Sequence, residues 1–344
     1  MKPEIKEAAY ETIRNARDLK KILKPSHASD ATLKMYDREV HRLISKYQTR
    51  SPTELFAAIC DTTSKRTYFR RLAAAKHFVQ ARLADALSEQ DKRQRAGDPA
   101  AWLSSVAVLE FLVGLHRTIE QHRGSCPLAN PKPRNSKRRS LRALPSDFRE
   151  QMHDALKSSM YRLPYLLSAL TGCRPAELQT GVKIELDDTH ITITIAGAKV
   201  NGTTQGQAWR KIGYGTDTQD PLVRGLFDEL SARQVRELNI DVKSKVNFTS
   251  ALRRAGRRLW PRNKIDVTGY TLRHAAASDF KKFLSPDEVS QALGHCVDKT
   301  SSTYGQRQIS RSSGGLQPTK IQAARSVKAT KSASPNRKSR QAKS

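Results

Sequence analysis

The chain has 344 residues, and Lys and Arg outnumber Asp and Glu by 62 to 33, a formal net charge of +29. That length fits two ordinary domains or one large one. The charge surplus implies strong self-repulsion unless a polyanion lies close by, nucleic acid first among the candidates and an anionic membrane surface the rival. No run approaches the ~20 continuous apolar residues of a membrane span. The opening MKPEIKEAAYETIRNARDLKK has no apolar signal-peptide core, so a secreted or integral-membrane protein is not expected. The cysteines Cys60, Cys126, Cys173 and Cys296 lie far apart with no CxxC pair. They read as reduced thiols in a cytosolic compartment and not as a zinc site.

Residues 1–123 read as a helical bundle. In ATLKMYDREVHRLISKYQ, the residues Leu33, Tyr36, Val40, Leu43, Ile44 and Tyr47 recur at spacings of three and four, one face of a helix. A second helix is expected from Ser64 to Leu87 and a third from Ala100 to His122, the latter started by Asp98-Pro99. The second carries Lys65, Arg66, Arg70 and Arg71, either a solvated polar face or a surface for DNA. Residues 124–145, GSCPLANPKPRNSKRRSLRALP, hold four prolines, six basic residues and no acid. Proline removes helix donors and favours extended backbone, so this is read as an inter-domain linker. Its Lys137, Arg138 and Arg139 suit a phosphate backbone.

A second domain is expected over 146–312. It opens with the helix SDFREQMHDAL, followed by the apolar helix YRLPYLLSALTGCRPAEL with a Thr-Gly break. THITITIAGAKV alternates β-branched residues as a strand does, NGTTQGQ is turn chemistry, and AWRKIGYG is the returning strand of a hairpin. Beyond it GYTLRHAAASDFKKFL and SPDEVSQALGH read as helices. The fold class is therefore mainly α with a small β-hairpin or sheet, an α+β domain behind a helical one. Residues 313–344 hold eight basic residues, no acid and many Ser, Ala and Gln. Such a composition buries no core and is expected to be a basic disordered tail.

Four segments carry the chemistry: TGCRPAEL (171–178), IAGAKV (195–200), TGYTLRHAAAS (268–278) and LGHCVDKTSSTY (293–304). In this order, around a hairpin and in a basic chain, they make 146–312 resemble the catalytic domain of the tyrosine recombinase (phage integrase) family. The helical first part and basic linker resemble the family's DNA-clamping half. The resemblance implies that Arg174 and Arg273 grip the scissile phosphate, a task suited to the guanidinium fork. Glu177 would orient Arg174 or its neighbours, and His295 would hydrogen-bond the phosphate or the nucleophile. Tyr304, nine residues after His295 and the last tyrosine of the chain, would be the nucleophile. Lys199 would protonate the leaving 5′-oxygen, with Arg210 and Lys211 as lesser substitutes. Tyr270 stands where the family has histidine. Its phenol can donate to phosphate but is no base near neutral pH. His274 reads as a buried histidine bonded to backbone.

The resemblance implies cleavage and rejoining of double-stranded DNA through a 3′-phosphotyrosyl link, as a homotetramer on two sites, without metal, ATP or other cofactor. The setting it implies is integration or excision of a mobile element in the cytoplasm, at the nucleoid. TKIQAARSVKAT, after Tyr304, is a short helical candidate for docking on a neighbouring subunit. The alternatives are a recombinase-like DNA-binding protein without catalysis, which Tyr270 favours, and an enzyme like a type IB topoisomerase.

Overall fold

The computed structural model describes residues 2–24, 26, 28–132, 141–198, 200, 206–263, 266–298, 302–305 and 315–328. Lys137, Arg138, Arg139 and Lys199 lie outside the described residues, as does 329–344 of the tail. The chain forms two compact units, Met1–Arg134 and Asn135–Ser344.

The first unit is built of helices α1 (Pro3–Ile22), α2 (Asp30–Tyr47), α3 (Pro52–Cys60), α4 (Lys65–Ala96) and α5 (Pro99–Gln121). The amphipathic run 33–47 forms α2, which buries Val40 and Leu43. The helix expected to end at Leu87 continues to Ala96, because DKRQRA keeps good helix formers until Gly97. Asp98 caps α5 by accepting the N–H groups of Ala100 (2.9 Å) and Ala101 (3.1 Å), with Pro99 in the first turn. Among the described residues α5 is the one helix long and apolar enough to cross a membrane. Its Trp102, Val106, Leu109, Leu112, Leu115 and Ile119 are buried in the core shared with α1, α3 and α4.

One residue of the proposed DNA-facing set is corrected here. Arg71 is buried, and its Nη1 donates to the carbonyls of Ala58 (3.1 Å) and Asp61 (2.8 Å) at the end of α3, while Nε reaches Glu39 at 3.3 Å. A cation that satisfies the last carbonyls of a helix is part of the fold and is turned away from any external phosphate. Lys65, Arg66 and Arg70 remain exposed, Arg70 paired with Glu39 at 3.4 Å.

The second unit sets α6 (Phe148–Ala155), α7 (Arg162–Thr171), α8 (Pro175–Thr180), α9 (Pro221–Ala232), α10 (Lys245–Leu259), α11 (Gly269–Phe283) and α12 (Pro286–Ala292) around an antiparallel sheet. Its strands are β1 (Val182–Leu186), β2 (His190–Ala196), β3 (Trp209–Gly215), β4 (Glu237–Ile240) and β5 (Lys320–Ala323), in the order β4-β1-β2-β3-β5. Alternation puts Val182, Ile184, Ile191, Ile193, Ile195 and Ile212 on the buried face. Helix α7 is buried from Leu163 through Thr171, and α11 packs against it. The expected hairpin is β2–β3, with Ile193 opposite Ile212.

β5 corrects the reading of the tail. Residues 315–328 are not disordered, and TKIQAARSVKAT supplies a strand where a helix was expected. Ile321 lies opposite Ile212 and Ala323 opposite Arg210, so the buried-side alternation continues across β3. An unpaired strand edge is a template for any segment with that alternation. Upstream, Leu316 is fully buried and its N–H donates to Asp279 at 3.2 Å. Asp279 is itself buried against Arg149, whose Nη2 lies 2.5 Å away.

Candidate active site

The helical run of α7 ends at Thr171, and Gly172 follows at φ +62°, a backbone region that L side chains rarely adopt. The turn presents the Gly172 carbonyl to Arg273 Nη1 at 2.8 Å and directs Arg174 into the start of α8. Gly269 opens α11 against the ring of Pro175, where a Cβ would meet Cγ at 2.7 Å. The two glycines allow the helix starts carrying Arg174 and Arg273 to approach each other.

Glu177 is fully buried between two arginines. Its Oε1 accepts from Arg174 Nη1 (2.5 Å), and its Oε2 accepts from the Arg174 backbone N–H (2.7 Å) and from Arg210 Nη2 (2.8 Å). Burial alone would raise its pKa. The charge and hydrogen bond of Arg210, then the charges of Arg174 and Arg273, outweigh this and hold it at about 2. Arg210 also donates from Nε to the Ala292 carbonyl at 2.8 Å.

Arg273 is fully buried, donating from Nη2 to the Leu293 carbonyl and to His295 Nε2, the latter at 3.0 Å. Burial and the charge of Arg174 lower its pKa to about 10, so it remains a cation at neutral pH. A guanidinium has no lone pair to offer, so His295 Nε2 is the acceptor and the imidazole proton sits on Nδ1. Burial first, then Arg273, Arg174 and Arg210, push the His295 pKa down to about 2. The imidazole is therefore neutral at any physiological pH.

Tyr304 lies over this cluster. Its ring centroid is 4.7 Å from Arg273 Cζ and 5.4 Å from the His295 ring, the latter two planes within 28°. A cation over an aromatic face is attracted by the ring quadrupole. His274 flanks the ring at 5.1 Å, and its Nδ1 accepts the Gly305 N–H at 3.1 Å. Lys281 Nζ donates to the Tyr304 carbonyl at 2.5 Å. Three polar atoms of the cluster, Arg210 Nη1, Arg273 Nε and His295 Nδ1, are buried without a partner. All three are donors, so what satisfies them is an acceptor.

The structure thus brings together Arg174, Glu177, Arg273, His274, His295 and Tyr304. Tyr270 is 41% exposed in the first turn of α11, three residues ahead of Arg273. Arg210 is corrected from substitute proton donor to buried partner of Glu177. Strand parity carries the signal, since Ile212 faces inward and Arg210 shares its side. Lys211, half-buried, points to the opposite face.

No protein-family model matches the chain, and no curated protein matches it. Among solved structures the chain is similar to the crystal structure of XerA recombinase, at 16% identity over 86% of this chain and 93% of that one, with a TM-score of 0.34. It is likewise similar to XerH site-specific recombinase bound to its difH substrate in a pre-cleavage complex, at 16% identity over 88% and 93%, with a TM-score of 0.36.

Proposed function

We propose that the protein cleaves and rejoins DNA strands as a site-specific tyrosine recombinase. The observation that carries this reading is the convergence of Arg174, Arg273, His295 and Tyr304, drawn from three separate sequence motifs, on a buried cluster with donors left to satisfy. In the proposed reaction Arg174 takes a non-bridging oxygen of the scissile phosphate, Arg273, whose two Nη groups are held by the Gly172 and Leu293 carbonyls, offers its Nε–H, and the His295 Nδ1–H adds a further hydrogen bond. The Tyr304 phenol gives up its proton to solvent as its oxygen attacks phosphorus; the 3′-phosphotyrosyl bond forms, the bond from phosphorus to the 5′-oxygen breaks, and Lys199 protonates the departing oxygen. Return of a 5′-hydroxyl from another duplex reverses the step and exchanges strands. Pairing two duplexes calls for a homotetramer, and the chemistry suits integration or excision of a mobile element at the nucleoid of the cytoplasm. Nucleophile, acid and charge stabilisers are all side chains, so the proposed reaction uses no metal or ATP.

Tyr304→Phe is the direct test, on a duplex with a nick beside the cleavage site that traps the covalent adduct. Wild type is expected to form the adduct; the variant is expected to bind with the same affinity and form none. An adduct of undiminished yield places the nucleophile elsewhere. A second reading, a DNA-binding protein without catalysis, is favoured by Tyr270, whose exposed phenol stands where the family resemblance expects a histidine. Binding by wild type with no adduct selects it.

A further inference from the structure

We infer that Gln207 is a positioning residue that fastens the His295 turn to the chain beyond Tyr304, so that residues 325–328 help to set the imidazole. Its consequence for rate rests on the recombinase reading above. Gln207 is 1% exposed. Its side-chain Nε2 donates to the His295 carbonyl at 3.0 Å and to the Arg325 carbonyl at 2.9 Å. Its Oε1 accepts the Arg325 backbone N–H at 3.0 Å. Both amide protons and the amide oxygen are therefore used, and only one orientation of the group satisfies all three partners.

The neighbouring contacts close the same ring of bonds. The Gln207 N–H donates to the Gly294 carbonyl at 3.4 Å, and Cys296 Sγ donates to the Gly206 carbonyl at 3.0 Å. The Lys328 N–H donates to the Cys296 carbonyl at 2.9 Å, and the Asp298 N–H to the Lys328 carbonyl at 3.3 Å. The turn that presents His295 is thus gripped from two directions. Arg273 holds the Leu293 carbonyl on one side, and Gln207 holds the His295 carbonyl on the other. Arg325 follows the nucleophile in sequence yet shares one amide with His295. Removing that amide strands the buried His295 carbonyl and the part-buried N–H and carbonyl of Arg325, and frees the turn to shift. A shift of about 1 Å in a catalytic group costs on the order of 100-fold in rate.

The test uses the full chain with Gln207→Ala, Gln207→Glu, Arg325→Pro and the double variant Gln207→Ala with Arg325→Pro. Three quantities are measured: the rate of adduct formation on the nicked duplex, duplex affinity, and amide hydrogen exchange over 294–298 and 324–328. Gln207→Ala and Arg325→Pro are each expected to slow the adduct by about 10- to 100-fold at unchanged affinity. The double variant is expected to be no slower than the slower single one. Exchange is expected to rise in both segments together. Gln207→Glu places a carboxylate against two carbonyl oxygens at high pH and a single hydrogen-bond donor once protonated. Its rate relative to wild type is therefore expected to recover as pH falls from 8 towards 5.5, which keeps the idea testable if the alanine variant does not fold. Single variants within twofold of the wild-type rate, or unchanged exchange over 294–298 in Arg325→Pro, overturn the inference. If wild type itself forms no adduct, the recombinase reading has failed. The exchange measurement then decides the coupling alone, joint loss supporting it and independent behaviour overturning it.

Discussion

At the scale of single residues, Glu177 and Arg210 act as a buried unit. Removing one partner of a buried ion pair leaves the other charge without compensation, at a cost of about 3–5 kcal/mol. Arg210→Met is expected to lose stability of that order in urea unfolding, because Glu177 keeps only its Arg174 contacts. The pH dependence has a defined sign. His295 stays neutral down to about 2, against an ordinary value of 6.5, so below 6.5 the unfolded chain binds a proton that the folded chain refuses. Glu177, held at about 2 against 4.5, adds a term of the same sign below 4.5. Stability is therefore expected to fall as pH falls through 6.5 and again through 4.5. In thermal melts His295→Asn is expected to flatten the first of these slopes and keep the second. Arg174, Arg273, His295 and Tyr304 were legible in the sequence because each sits in a short local pattern. For Arg210 strand parity gave the buried side but not its partner, and Gln207 had no signal, since both roles depend on which residues lie across the sheet and beyond the nucleophile.

At the scale of elements, α11 is the central positioning device. It carries Arg273 and His274, docks the Tyr304 carbonyl through Lys281 and anchors Leu316 through Asp279. Its first residue sets how near it lies to α8. Gly269→Ala would drive a methyl group to 2.7 Å from Pro175 Cγ, on a ring that cannot rotate away. The variant is expected to lose about 1–3 kcal/mol in urea unfolding, and its adduct rate to fall while duplex affinity holds. Long helices and the β2–β3 hairpin followed from periodicity and turn chemistry. β1 and β4, of five and four residues, carry too few alternations to stand out. β5 was hidden by composition, because a polar, basic segment with Ile321 as its main apolar contact becomes a strand only when β3 offers an edge.

At the scale of the whole molecule, charge is the dominant property. A protein that neutralises six to ten phosphates loses about 10³–10⁵ in affinity between 50 and 200 mM salt. With a net charge of +29 the chain is expected to fall in that range on an unrelated duplex, measured by fluorescence anisotropy. A salt-independent affinity would contradict the interface proposed from Lys65, Arg66 and Arg70. Each of the two units, Met1–Arg134 and Asn135–Ser344, has its own apolar core. The chain on either side of Tyr304 is secured to the same unit, through Asp298 against Lys328 and through Leu316 on Asp279. A DNA end esterified to that phenol would be joined to a chain whose described residues on both sides are fastened to this one unit. In the proposed reaction the broken strand is then retained by a single unit until it is rejoined.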